Sequence, residues 1–148
     1  MAIIDLIAPE VIKAGLESKD KPGVLRELLQ ILVDAGKVTE SEAILEALFK
    51  RESLQSTGLE AGIAVPHAKT TAVDSLTLAI GTAPGGIDFD AIDHQPSKLF
   101  FLMLAPPDKS GPHIEALAEI ARMSKSAAFC TAIINAKSPD EVIELFAE

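Results

Sequence analysis

Leu99-Phe100-Phe101-Leu102-Met103-Leu104 is a continuous apolar run of strand length, stopped by Pro106 and Pro107. A strand with one wet face alternates apolar and polar residues. A run without alternation suits a central strand covered on both sides. Cover is available in the flanking sequence. Upstream, Val24, Leu25, Leu28, Leu29, Leu32 and Val33 fall on one face at helical spacing. They follow the polar start Ser18-Lys19-Asp20-Lys21-Pro22 and precede Gly36, placed where helices end in a left-handed residue. Thr39-Glu40-Ser41-Glu42 fits a capping box for a second helix, with Ile44, Leu45, Leu48 and Phe49 inward and an end close to Arg51. Downstream, Ser110-Gly111-Pro112 starts a helix with Ile114, Leu117, Ala118 and Ala121 on one side. A further helix runs from about Ser126 to Asn135, and Ser138-Pro139-Asp140-Glu141 caps a last one through Val142, Ile143, Leu145 and Phe146. Helices before and after a doubly covered strand predict an α/β fold in three layers, an α/β/α sandwich.

Shorter strands complete the sheet: Val11 to Leu16, Ile63 to Val65, and Leu76 to Ile80. Pro84-Gly85-Gly86 reads as a turn, Ile87-Asp88-Phe89 as a short extended piece, and Asp90 to Pro96 as a loop. Without internal repeats, low-complexity tracts or linkers, residues 1–148 read as one domain, and 148 residues suffice for a single core. Hydrophobic residues at 48% against 24% charged place the chain among globular proteins. With no Trp or Tyr, the core must be aliphatic, helped by six Phe.

A net charge of −9 makes nucleic acid and anionic membrane poor partners, since both need clustered Lys and Arg. Cys130 is the only cysteine and lies in an apolar helical context, which reads as a buried structural thiol and a reducing compartment. The start Met1-Ala2-Ile3-Ile4-Asp5 lacks a basic leader, and no apolar run approaches the roughly 18 residues of a membrane span. A soluble, cytoplasmic protein without membrane insertion is expected.

Chemistry concentrates in Arg51-Glu52-Ser53-Leu54-Gln55-Ser56-Thr57-Gly58, running on into Gly62-Ile63-Ala64-Val65-Pro66-His67-Ala68-Lys69. Pro66 sets its own φ and extends the residue before it, so His67 sits where a short strand stops, with a defined backbone. Imidazole keeps a usable neutral nitrogen near neutral pH. A loop histidine is more often a solvated residue; its company raises the odds. His113 follows Ser110-Gly111-Pro112 at a helix start, where free N–H groups and the dipole favour an anion, although an exposed first-turn histidine with no task is the plainer reading. Arg51 offers a planar fork for phosphate, or caps the last carbonyls of its helix. Ser56 and Thr57 either steer the imidazole and hold a phosphate oxygen, or are ordinary loop composition. His94 reads as a turn residue. No two histidines lie within one helical turn and no Cys pair exists, which argues against zinc. No Gly-rich phosphate loop or nucleophile elbow is present.

Taken together, Arg51-Glu52, Ser56-Thr57-Gly58, Gly62 to Lys69 and His113-Ile114-Glu115-Ala116-Leu117-Ala118, in that order, resemble the enzyme IIA domain of the fructose–mannitol–nitrogen-regulatory family of the bacterial phosphoenolpyruvate:sugar phosphotransferase system. The resemblance covers essentially the whole chain. It implies a mixed parallel and antiparallel β-sheet between helices, with His67 as phosphoryl acceptor on Nε2 and His113 and Arg51 in the active site. It implies no cofactor. The expected partners are the histidine-containing phosphocarrier protein as donor, and an enzyme IIB or a regulated kinase or transporter downstream. The stretch Ile87 to Pro96 resembles the nitrogen-regulatory members more than the sugar-transporting ones, in which a glycine is common at the place of His94. Two positions depart from the pattern: Ile114 stands where Leu is usual, and Pro112 directly precedes the second histidine.

The implied reaction is in-line transfer between histidines of two proteins, which needs positioning and charge stabilisation above all. It predicts a shallow, partly apolar surface round His67 and transient contacts. The alternative from another class is a non-catalytic anion- or partner-binding module of the same fold, which has no need of a nucleophile at position 67.

Overall fold

A computed structural model describes residues 3–148. The apolar run lies in the strand Ser97–Ala105, and each of its six residues is fully buried. Calling the strands β1 (Ile12–Lys13), β2 (Ile63–Ala64), β3 (His67–Lys69), β4 (Thr77–Ile87) and β5 (Ser97–Ala105), the sheet order is β1-β4-β5-β2, with β3 also on β5. β4 and β5 are antiparallel, and the other pairs are parallel, so the sheet is mixed as expected.

Among the described residues five α-helices cover it: α1 (Lys21–Asp34), α2 (Ser41–Leu54), α3 (Ser110–Met123), α4 (Ala127–Ile134) and α5 (Pro139–Ala147). Neighbouring residues of β5 point to opposite faces. Phe101 meets Phe146 of α5 edge-on, and Phe146 in turn meets Phe129 of α4. On the other face Phe100 is paired across the sheet with Gly81, and a Cβ at Gly81 would lie 2.9 Å from Leu28 of α1. The sheet is therefore sandwiched, in agreement with three layers. Among the described residues no helix is long and apolar enough to cross a membrane.

Caps follow the sequence at α1, α4 and α5. Asp20 accepts the Gly23 N–H at the start of α1, Ser126 that of Phe129, and Ser138 that of Glu141. The end of α1 closes on Gly36 with the Gly36 and Lys37 N–H groups returning to the Val33 and Leu32 carbonyls. The box at Thr39 to Glu42 does not form: Glu40 is the N-cap without a side-chain bond, and α2 runs three residues past Arg51, to Leu54.

Three expectations are corrected. The strand over Val11 to Leu16 shrinks to β1, because Pro9–Val11 is a 3-10 turn and Gly15 has φ +98°, which ends extended backbone. Pro84-Gly85-Gly86 is no turn. It lies within β4, where the register with β5 shifts between Thr82 and Ile87 and pairing resumes at Ile87 with Ser97. A bulge tolerates a proline that cannot donate to the ladder. The strand before His67 does not stop there: β3 resumes with His67 and keeps on β5 the register that β2 set. Val65 and Pro66 interrupt it: the Val65 N–H goes to the Thr57 carbonyl, and Pro66 lacks an N–H. Helix α3 turns His113, Ala116 and Ile120 inward, so Ile114 is 62% exposed and Ala118 and Ala121 face out.

Candidate functional site

His67 opens β3, half-buried, at the sheet edge. Its Nδ1 lies 2.8 Å from the Val65 carbonyl. A carbonyl only accepts, so the proton is on Nδ1 and the neutral ring carries its lone pair on Nε2. The ring of His113 stands beside it, with centroids 5.0 Å apart and planes tilted by 58°. β3 and the first turns of α3 thus bring together two histidines 46 positions apart in the chain.

His113 is buried rather than exposed, and its Nε2 has no protein hydrogen-bond partner. A buried polar atom left unpaired costs about 1–3 kcal/mol, so a ring held this way suits a polar group that arrives from outside. The adjoining helix start adds N–H groups without intrahelical acceptors. Among the described residues no three His, Cys, Asp or Glu side chains gather as metal ligands.

Both rings are pushed below the usual histidine range. For His67 burial is the main cause; the Val65 carbonyl opposes it, the charges of Arg51 and Lys69 reinforce it, and Glu52 opposes it. For His113 burial leads, followed by the charges of His67 and Lys69. Both imidazoles are therefore neutral at neutral pH, in a locally cationic corner of an acidic chain.

Arg51 sits in the last turn of α2 and donates from Nη1 to the Gln55 carbonyl at 2.9 Å, the helix-end role. Its charge is nevertheless felt at His67. Ser56 and Thr57 follow in the loop with their hydroxyls engaged. Ser56 Oγ donates to the Phe89 carbonyl (2.7 Å) and accepts from Lys21 Nζ (3.3 Å) and the Gly58 N–H (3.1 Å). The buried Thr57 hydroxyl donates to Glu52. A Cβ at Gly58 would lie 2.8 Å from the Ala91 Cα, so only glycine lets the two loops close on each other. His94 is the expected turn residue, exposed at φ +60°, and Cys130 is the expected buried thiol, its pKa raised by burial.

Two residues to which the sequence reading gave no role stand out. Glu52 is buried and bonded to the Thr57 N–H at 3.0 and 3.1 Å; Lys21 Nζ lies 3.7 Å from its carboxylate. Helical spacing carried the signal, since Glu52 continues the inward line of Ile44 and Leu48.

Val65, whose carbonyl holds the His67 ring, also lines an apolar groove of about 210 Å³ with Leu59, Ile63, Ile92, Leu117 and Ala121. Ile92 is 54% exposed at its rim.

The family model described as "Phosphoenolpyruvate-dependent sugar phosphotransferase system, EIIA 2" matches residues 5–148. A fructose-specific EIIA component of Haloferax volcanii is 37% identical over 146 residues, covering 98% of this chain and 95% of that one. A nitrogen regulatory protein of Bradyrhizobium diazoefficiens is also 37% identical, over 123 residues, covering 83% and 80%. A fructose-specific EIIABC component of Bacillus subtilis is 35% identical across 98% of this chain, which spans 23% of that protein. The nitrogen regulatory protein IIA-Ntr of Neisseria meningitidis superposes with TM-score 0.88 at 28% identity over 97% of this chain and 98% of its own. The mannitol enzyme IIA of Escherichia coli, solved in complex with phosphorylated enzyme IIB, superposes with TM-score 0.80 at 26% identity over 95% and 96%. With sheet, helices and nearly every residue matched, the chain belongs to the EIIA type 2 family of the phosphoenolpyruvate-dependent sugar phosphotransferase system.

Proposed function

We propose that the chain is a phosphoryl carrier that accepts a phosphoryl group from the histidine-containing phosphocarrier protein on Nε2 of His67. The reading rests on one observation: an imidazole with Nδ1 tied to the Val65 carbonyl, beside a buried histidine whose Nε2 has no protein partner. The neutral His67 attacks in line. A P–N bond forms at its Nε2 as the P–N bond to the donor's imidazole breaks, and the electron pair leaves with that imidazole. The accepting ring gains positive charge while keeping its Nδ1 proton, and the Val65 carbonyl stabilises it. His113, the start of α3 and Arg51 stabilise the equatorial oxygens; Ser56 and Thr57 contribute through the loop they fix.

Because donor and acceptor are proteins, the apolar groove and the outward side of α3 supply a docking surface next to the reacting ring. The downstream partner is an enzyme IIB or a regulated kinase or transporter. The stretch Ile87 to Pro96 favours the nitrogen-regulatory type over fructose or mannitol transport, with His94 in a left-handed conformation where the transporting members often have glycine. That preference predicts no onward transfer to a fructose- or mannitol-type IIB.

The test is incubation with phosphoenolpyruvate, enzyme I and the phosphocarrier. One acid-labile phosphoryl group, absent in His67→Ala, is expected. No gain of phosphate assigns the chain to the alternative, a non-catalytic binding module.

A further inference from the structure

We propose that Glu52, with Lys21, is a positioning residue that sets the ring of His67 through a chain of hydrogen bonds. The inference rests on the proposed role of His67 and adds what holds that ring in its reactive form. The chain can be followed atom by atom. Both carboxylate oxygens of Glu52 accept the Thr57 N–H, and one also accepts the Thr57 hydroxyl. The Thr57 carbonyl accepts the Val65 N–H at 3.0 Å. The Val65 carbonyl accepts the Nδ1–H of His67 at 2.8 Å.

Every link after Glu52 is backbone or ring, so a shift of Thr57 moves Val65 and tilts or frees the imidazole. The last link decides the chemistry: with Nδ1 protonated, Nε2 is the nucleophile, and without that bond the two neutral tautomers compete.

Lys21 anchors the other end. It comes from the start of α1, is largely buried, and lies 4.7 Å over the Phe89 ring. Its Nζ is 3.3 Å from Ser56 Oγ, 3.7 Å from Glu52 and 3.5 Å from Asp90, so one cation ties together α2 and the loops at 55–58 and 88–94. A buried carboxylate needs such a partner. Glu52 stands three hydrogen bonds from the ring, and a remote change that misplaces a reacting atom by about 1 Å commonly costs about 100-fold.

Ring ¹⁵N shifts of His67 and their pH titration, read in the absence of any phosphoryl donor, test the inference apart from the phosphoryl-transfer reading. The charged groups facing His67 are Arg51 and Glu52 from α2 and Lys69 from its own strand; the titratable neighbour is His113 from α3. Wild type should show the single Nδ1–H tautomer. Glu52→Gln should show averaged tautomers and a lower titration midpoint, because it removes the one charge that favours the protonated ring. Transfer from the phosphocarrier should fall by up to about 100-fold at unchanged KM. Wild-type ring shifts in a folded Glu52→Gln overturn the inference whatever the rate does, since Glu52 would then act on fold or docking. Should Glu52→Gln not fold, Lys21→Met is read by the same criterion, with Lys21→Arg expected to restore the wild-type signature. A wild type that accepts no phosphoryl group instead sinks the transfer reading.

Discussion

Two glutamates of this molecule do the same structural work in different places. Glu27 on α1 accepts the N–H groups of Glu17 and Ser18 and the Ser18 hydroxyl, with Lys13 at 2.7 Å. Glu52 on α2 accepts the Thr57 N–H and hydroxyl, with Lys21 at 3.7 Å. Each carboxylate pins a loop that follows or precedes a helix, and each has one lysine. The bonds from Glu27 end on the loop leading into α1. Those from Glu52 continue through Thr57 and Val65 to an imidazole. The chemistry of the two clusters is equal; what differs is what stands at the end of the line.

The largest effect should appear at the reactive end. Arg51→Met removes a charge that presses on His67, so single-turnover transfer should drop about 100-fold, the order seen when one transition-state donor is lost. The His67 titration midpoint should rise, since the Arg51 charge lowers it. Lys13→Met in the other cluster should leave both readings at wild type; a matching loss there would break the comparison.

Glu27→Gln should cost about 1–2 kcal/mol in denaturant unfolding without altering the His67 ring. Burial works against the Glu27 carboxylate, but Lys13, Ser18 and the loop N–H groups bring its pKa down to about 2. Its folded-state pKa lies below the unfolded one, so its contribution is present above about 4.5 and is lost as pH falls towards 2. Glu27→Gln should flatten that acid limb.

The histidines act in the same direction over a higher window. Both have depressed folded-state pKa values, so the unfolded chain binds protons first as pH falls below about 6.5. Stability should decline there by a smaller amount, and His67→Asn should remove part of the slope. Smallest of all, Ile114→Ser on the exposed side of α3 should change stability by less than about 0.5 kcal/mol while raising KM for the phosphocarrier.

Much of the fold is legible in the sequence. The Leu99 to Leu104 run announced a doubly covered strand, and the capping residues of α1, α4 and α5 announced where helices begin, because these signals are local. Pro84-Gly85-Gly86 misled because a turn signal is also local, whereas the bulge is imposed by β5 taking up Ile87 again opposite Ser97. Spacing does not show which side of α3 turns inward, because a histidine counts as a surface residue until something explains its burial; here His113 fills a position that an apolar side chain would otherwise hold. His67 and Arg51 were legible as motif letters. Glu52 and Lys21 were not, since their meeting joins positions 31 apart and depends on how α1 and α2 pack.

Which nitrogen of His67 is free to react decides the chemistry of the site. Heteronuclear ³¹P and ¹⁵N correlation spectra of the chain, phosphorylated with ¹⁵N-labelled histidine, read that atom directly. A phosphorus bonded to Nε2 of His67, with the proton still on Nδ1, is the predicted result. Phosphorus on Nδ1, or on any other residue, would contradict it.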